Sequence, residues 1–276
     1  MFELPEYVTL AAQISGTLQG KVIKKGLLGN SPHKFVWYNT EPEEFASLTE
    51  GKKIGAAYSK GRWLFVPLNN GHVLVLGECG GKILYHDSLD SIPGKYHLLL
   101  TFDDATAFSA MTQMWGAMEI FKRGEELKRQ YIRDMRPTPV DSGFTFEYFS
   151  GLIDDCVKSE KRSVKGLLTQ DQLIPGLGNA IAQDIMFTAK LHPKHPIASL
   201  DKGERRRLFD AIGKTLDDAI KKGGRSDEYD LFGKPGGYER ILSRETVGRG
   251  CLGCGSRIEK IQYLGGASYF CPECQT

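Results

Sequence analysis

The chain has 276 residues, 41 % hydrophobic and 25 % charged, and its 36 Lys and Arg against 34 Asp and Glu leave a net charge of +2. That composition is globular and long enough for two domains with separate cores. It excludes disordered and fibrous classes, and also nucleic-acid binding through bulk charge alone, though not a local basic face. No run approaches the roughly 20 apolar residues of a membrane span, and the first residues do not form a secretory signal, so no membrane contact and a cytoplasmic location are expected.

In chain order, Pro5 fits an early helical position and predicts an opening helix over residues 5–15. Short β-rich runs follow at 21–23, 34–38, 63–68 and 72–76, with Asn69-Asn70-Gly71 as a tight hairpin turn. Residues 96–102 and 106–108 read as a further hairpin. Trp37, Tyr38, Trp63 and Leu74 to Leu76 are expected to fill the core of a sandwich or barrel. The pattern then turns helical, with segments at 146–157, 164–168, 180–189 and 205–222. The domains expected are therefore a β-sandwich over 1–125, a linker over 126–139 and a helical domain over 140–225. A long loop over 226–250 and a terminal hairpin over 251–276 complete the chain.

Between two helical segments stands Gln172-Leu173-Ile174-Pro175-Gly176-Leu177-Gly178-Asn179. Pro175 and the glycines stop one helix, and Asn179 is expected to cap the next. Such a turn brings backbone N–H groups and a helix N-terminus together, the groups that hold a phosphate without reading a base. Lys161, Arg162 and Lys165 lie just upstream. The competing reading is a glycine-rich helical hairpin with a solvated basic flank.

Four of the six cysteines fall in the last 26 residues as Cys251-x2-Cys254 and Cys271-x2-Cys274, sixteen residues apart. Two tight pairs flanking a short segment suit one tetrahedral, structural Zn2+. Unligated or disulfide-linked cysteines are the alternative. A segment this short has too little core to fold without such a staple.

Glu3-Leu4-Pro5-Glu6, the Gln172 to Asn179 turn with its Ala182 to Phe187 continuation, and the ending from Cys251 to Gln275 occur in that order. Together they resemble the formamidopyrimidine-DNA glycosylase and endonuclease VIII family, over essentially the whole chain. The resemblance implies a two-domain α+β fold: an N-terminal β-sandwich with an opening helix, then a helix-two-turn-helix domain with a four-cysteine zinc finger hairpin. It implies a monomer bound to duplex DNA at a damaged base, which is flipped out and released by cleavage of its N-glycosidic bond.

Several positions depart from the family pattern. The family's nucleophilic proline follows the initiator Met, and here that position is Phe2. Met1 is expected to stay, leaving a primary amine displaced by one residue. Glu3 matches the family's acid beside the nucleophile and Glu6 a second acid of the opening helix. Without the proline, the two carboxylates suit a hydrolytic route. Glu6 alternatively serves the helix dipole or binds backbone amides. The family's hairpin lysine falls at Arg62, which can grip phosphate but is a poor proton shuttle. Gln113 and Met114 replace void-filling arginines, Trp115 stands at the wedge phenylalanine, and Glu78 stands where a methionine inserts. Gly266 replaces a phosphate-gripping arginine. By contrast Lys165, Gly176, Gly178 and Asn179 agree with the family's backbone-binding turn.

These residues imply a divergent base-excision repair glycosylase, monofunctional with weak or no lyase activity. The main alternative is a catalytically inactive damaged-DNA-binding protein of the same fold, and a protein- or RNA-binding scaffold is a third class.

Overall fold

The computed structural model describes residues 1–31, 34–159 and 161–276. The chain divides into two units, Met1–Met135 with Lys222–Gly237 and Arg136–Lys221 with Tyr238–Thr276.

The first unit opens on α1 (Leu4–Leu18), whose Leu4, Tyr7, Leu10, Ala11, Ile14 and Leu18 form one buried stripe at helical spacing. It continues through β1 (Ile23–Leu28), β2 (Val36–Trp37), α2 (Pro42–Thr49), β3 (Tyr58–Lys60), β4 (Trp63–Pro67), β5 (His72–Gly77) and β6 (Gly81–His86). Then come β7 (Leu98–Phe102), β8 (Ala107–Thr112), β9 (Gly116–Lys122) and the short α3 (Gln130–Arg133). One sheet runs β1-β7-β8-β6 and the other β2-β9-β5-β4-β3, antiparallel except for the β2–β9 pair. Ile23, Leu98, Leu100 and Phe108 from the first sheet share a core with Leu64, Leu74, Leu76 and Met118 from the second, joined by Phe2 and the stripe of α1. A two-sheet sandwich results.

The opening helix and the β4–β5 hairpin lie where the sequence places them, the helix three residues longer at its C-terminal end. Trp37 does not fill the core: it is 43 % exposed. β2 is a two-residue edge strand, so its alternate side chain has no second layer to enter. Trp63 is buried, but on the outer face of its sheet, with Phe65, Val75 and Ile132 of α3. Residues 125–133 are thus largely helical and belong to the first unit, and the boundary between Met135 and Arg136 falls within the 126–139 segment expected as a linker.

The second unit contains α4 (Phe146–Ser159), α5 (Val164–Thr169), α6 (Asn179–Thr188), α7 (Lys202–Lys221) and the hairpin of β10 (Glu259–Tyr263) with β11 (Gly266–Phe270). The segment expected as one loop over 226–250 is divided, since residues up to Gly237 fold with the first unit and those from Tyr238 with the second. The latter part is pinned by Asp184 of α6, whose carboxylate accepts from the Tyr238 hydroxyl (2.9 Å) and the amides of Ile241 and Leu242 (2.9 and 2.8 Å). Burial pushes the Asp184 pKa up to about 6, against these hydrogen bonds, which pull it down. Among the described residues, no helix is long and apolar enough to cross a membrane.

Two substitutions probe this packing. Gly77 pairs with Trp63 across β4 and β5, and a Cβ there would lie 2.1 Å from the indole. Gly77→Ala should therefore cost about 1–3 kcal/mol through overpacking, read from the urea midpoint. In the second unit the Lys165 amine donates to the Tyr263 carbonyl at 2.6 Å and the Gly266 carbonyl at 3.4 Å. Lys165→Met should destabilise that hairpin turn by roughly 1.5–3 kcal/mol, seen as faster amide exchange in β10 and β11.

Candidate active site

The start of α1 carries the densest buried charge of the first unit. Glu3 is the N-cap and Glu6 the third helical residue, forming a capping box in which the Glu3 amide donates to Glu6 Oε2 at 2.7 Å. Both side chains are almost fully buried, at 5 % and 3 % exposure. What neutralises them is Arg225, itself 3 % exposed. Its Nε and Nη2 donate to the two oxygens of Glu6 at 3.2 and 3.1 Å, and its backbone amide donates to Glu6 Oε1 at 2.9 Å. Nη2 also donates to the Met1 carbonyl at 2.8 Å and Glu228 Oε1 at 3.3 Å, while Nη1 lies 3.9 Å from Glu3 Oε1. Burial pulls the Arg225 pKa down, but the charges of Glu3 and Glu6 outweigh it and raise it above the ordinary value.

Two glycines make room for this arrangement. Gly224 has φ +96°, and a Cβ there would come within 3.2 Å of Glu6 Cγ. A Cβ on Gly80 would stand 2.9 Å from the Met1 Cα.

Position 2 is an interior position. The Phe2 ring is fully buried and meets Tyr7 edge-on at 6.0 Å, and its amide donates to the Cys79 carbonyl at 3.0 Å. The Met1 amine forms an ion pair with Glu228 at 2.9 Å. Arg62 is paired with Glu78 at 3.2 Å and reaches the Met1 sulfur at 3.4 Å. Glu78 has φ +52°, a strained backbone for a non-glycine residue, and its amide donates to the Arg62 carbonyl at 3.1 Å. Burial pushes the Glu78 carboxyl up and the Arg62 charge pulls it partly back. Glu3, Glu6, Arg62 and Glu78 therefore gather around Met1. Trp115 is exposed on the turn between β8 and β9, whose Gln113 amide donates to the Gly80 carbonyl at 2.7 Å.

In the second unit the glycine turn and the cysteine hairpin make one block. Gly178, not Asn179, is the N-cap of α6. The Asn179 side chain instead donates to the Ala267 carbonyl at 3.1 Å, and Gln183 donates to the same oxygen at 3.0 Å. With Lys165 on Tyr263 and Gly266, three side chains thus grip the β10–β11 turn. Lys165 is buried, and burial lowers its pKa. Gly176 has φ +95°, and its amide donates to the Gln172 side chain at 3.0 Å.

Cys251, Cys254, Cys271 and Cys274 place their sulfur atoms within 4.8 Å of one another, with Cys251 to Cys274 at 3.8 Å and Cys254 to Cys271 at 3.4 Å. A zinc ion with bonds of about 2.3 Å sets tetrahedral sulfur edges of roughly 3.8 Å, so the four thiolates fit a structural zinc site.

Arg225 is the residue that sequence reasoning missed. Its local signals are a charged side chain directly after Gly223-Gly224, both at positive φ, and Glu228 three residues on, while Glu3, Glu6 and Met1 lie more than 200 positions upstream.

Comparison with known proteins supplies the family. The model described as the formamidopyrimidine-DNA glycosylase N-terminal domain matches residues 1–118, and that of the formamidopyrimidine-DNA glycosylase H2TH domain matches 135–229. A formamidopyrimidine-DNA glycosylase of Listeria innocua is 29 % identical over 279 aligned positions, covering 100 % of both chains. One of Bacillus cereus is 27 % identical, covering 100 % of this chain and 99 % of its own. Among solved structures, the MutM (Fpg) protein of Thermus thermophilus superposes with a TM-score of 0.82 at 26 % identity, over 99 % of this chain and 98 % of that one. Lactococcus lactis Fpg in complex with abasic-site DNA gives 0.86 at 25 % identity, over 99 % of each chain. Two domain models in order and full-length relatives place this chain in the formamidopyrimidine-DNA glycosylase family.

Proposed function

We propose that the protein is a DNA glycosylase of base-excision repair that binds duplex DNA and releases a damaged base by hydrolysis, without efficient strand cleavage. The observation that carries this reading is the Arg225 clamp on Glu3 and Glu6. Glu6 has both oxygens committed to Arg225 and to backbone amides, so it acts as a positioning residue. Glu3, held 3.9 Å from Arg225 Nη1, is the carboxylate assigned to activate water. The water oxygen bonds to the sugar C1′, its proton passes to Glu3, and the electrons of the C1′–N bond leave with the base, which takes up a proton.

Schiff-base chemistry has poor support in the same geometry. Position 2 offers a hydrogen-bonded amide and a buried ring rather than an exposed secondary amine, and the Met1 amine is engaged by Glu228. Arg62, tied to Glu78, is poorly placed for proton transfer in an elimination step. The DNA-binding role of the second unit is supported by its family match and by the rigid turn-and-hairpin block around Lys165, Gly176, Gly178 and Asn179. The inactive DNA-binding alternative draws on Gln113, Met114 and Gly266, none of which carries a charge for phosphate.

A single-turnover assay with excess protein on duplexes carrying oxidised, ring-opened, deaminated or alkylated bases decides between them. Breaks that need hot alkali, reduced about 10²–10⁴-fold in Glu3→Gln with unchanged DNA affinity, are expected for a hydrolytic glycosylase. Breaks without alkali would overturn the monofunctional reading. No product on any duplex, with salt-dependent binding retained, would favour the inactive binder. Removing zinc with a chelator should unfold the hairpin and weaken duplex binding, followed by circular dichroism and fluorescence anisotropy, because the grip of Lys165 and Asn179 then has nothing ordered to hold.

A further inference from the structure

The first unit exposes three aromatic rings in one stack. Trp37 and Trp115 lie nearly parallel, with centroids 5.3 Å apart and planes at 14°, and Phe35 leans on Trp115 at 4.8 Å and 38°. Their exposures are 43 %, 42 % and 37 %. The strand register builds the stack. β2 pairs with β9 as Val36 to Gly116 and Trp37 to Ala117, which sets Phe35 opposite Trp115 and puts Trp37 diagonally beside it. The Gly116 amide donates to the Phe35 carbonyl at 3.1 Å, and the Thr112 hydroxyl donates to the Trp115 carbonyl, so the backbone beneath the rings is fixed.

Exposed rings gathered in this way cost free energy in water and suit a binding surface. A side chain that intercalates into a duplex needs both faces of its ring for the two neighbouring base pairs. One face of the Trp115 indole is already taken by Trp37, so insertion would first break an existing stack. A stack that is already formed suits bases that come to it unpaired. The Lys34 amine lies over the Phe35 ring, 4.8 Å from its centre, and brings a positive charge to that end of the stack for the accompanying phosphate. A groove that shares Trp37 but is lined by Glu41 and Glu44 is acidic and would repel a phosphate, so the strand must leave on the Lys34 side.

We infer that Phe35, Trp37 and Trp115 form a stacking surface for unpaired bases of single-stranded DNA. The inference rests on the reading of the protein as DNA-binding, and adds a second mode of engagement to duplex recognition. Stacking of this kind tolerates any base, because every base has a π-face.

The test titrates the full-length protein with oligo(dT) and with an oligomer of the same length built from abasic tetrahydrofuran residues, beside a duplex holding one such residue. Tryptophan fluorescence reads stacking directly, because Trp37 and Trp115 are exposed whereas Trp63 is buried. Quenching by oligo(dT), and binding to it about tenfold or more tighter than to the abasic oligomer, are expected. Phe35→Leu with Trp37→Leu should remove that preference while duplex affinity stays within about twofold. Equal affinity for both oligomers, or a preference that survives the two substitutions, would overturn the inference and leave phosphate attraction alone. Duplex binding without oligo(dT) binding would also overturn it while sparing the DNA reading. Failure to bind any of the three would remove the DNA reading itself. Concentration-dependent self-association abolished by Trp37→Leu would assign the surface to a second copy of the chain instead.

Discussion

The first unit depends on one buried cation. A guanidinium withdrawn from water is tolerated only where carboxylates and carbonyls replace its hydration, and Arg225 meets that demand with Glu6, Glu228, the Met1 carbonyl and the nearby charge of Glu3. The same contacts discharge a second obligation. Two acids at the start of one helix, both withdrawn from solvent, would repel each other without a cation between them. Arg225 therefore decides three things together: how α1 begins, where the Met1 backbone lies, and that residues 222–237 fold with the sandwich although they follow the helices of the other unit.

What could be read from the sequence was local. The cysteine spacing specifies a tetrahedral sulfur site by itself, and the glycine-rich turn declares a helix stop whatever surrounds it. The hydrophobic stripe of α1 likewise needs only its own period of 3.6 residues. Arg225 could not be read this way, because its meaning lies in partners 219 positions distant. Trp37 was misplaced for a related reason. Alternation tells which residues share a face of a strand, but not whether a layer covers that face, and the edge strand β2 has none over Trp37. Lys165 shows a third limit. A lysine beside a glycine turn reads as a phosphate ligand, yet its amine is turned inward to carbonyls nearly 100 residues further along.

The carry-over of family roles sharpens the same point. Lys165 and Asn179 match the family pattern by position, but in this chain both spend hydrogen bonds on the β10–β11 turn. That turn also carries Gly266, which brings no charge to it, while the internal bracing is complete. Structural and binding duties of a motif can thus separate, and a motif match alone does not say which of the two survives.

The departures around Met1 form a set rather than scattered losses. Phe2 fills the core beside Tyr7 and gives its amide to Cys79, whose own amide donates to the Tyr7 hydroxyl at 2.8 Å. A proline at position 2 behind a retained Met1 has neither the aromatic ring nor an amide N–H, so it would leave a void and an unpaired carbonyl in the same place. Glu78, next in the chain to Cys79, is held by Arg62, and Arg62 in turn reaches the side chain of Met1. Arginine suits that position because its planar fork can face a carboxylate and a sulfur at once, which a lysine amine on a flexible stem does less well. The contacts thus run from Phe2 through Cys79 and Glu78 to Arg62 and back to Met1. The packing around Met1 therefore ties Phe2, Glu78 and Arg62 into one chain of contacts, with a buried ring and a hydrogen-bonded amide at position 2.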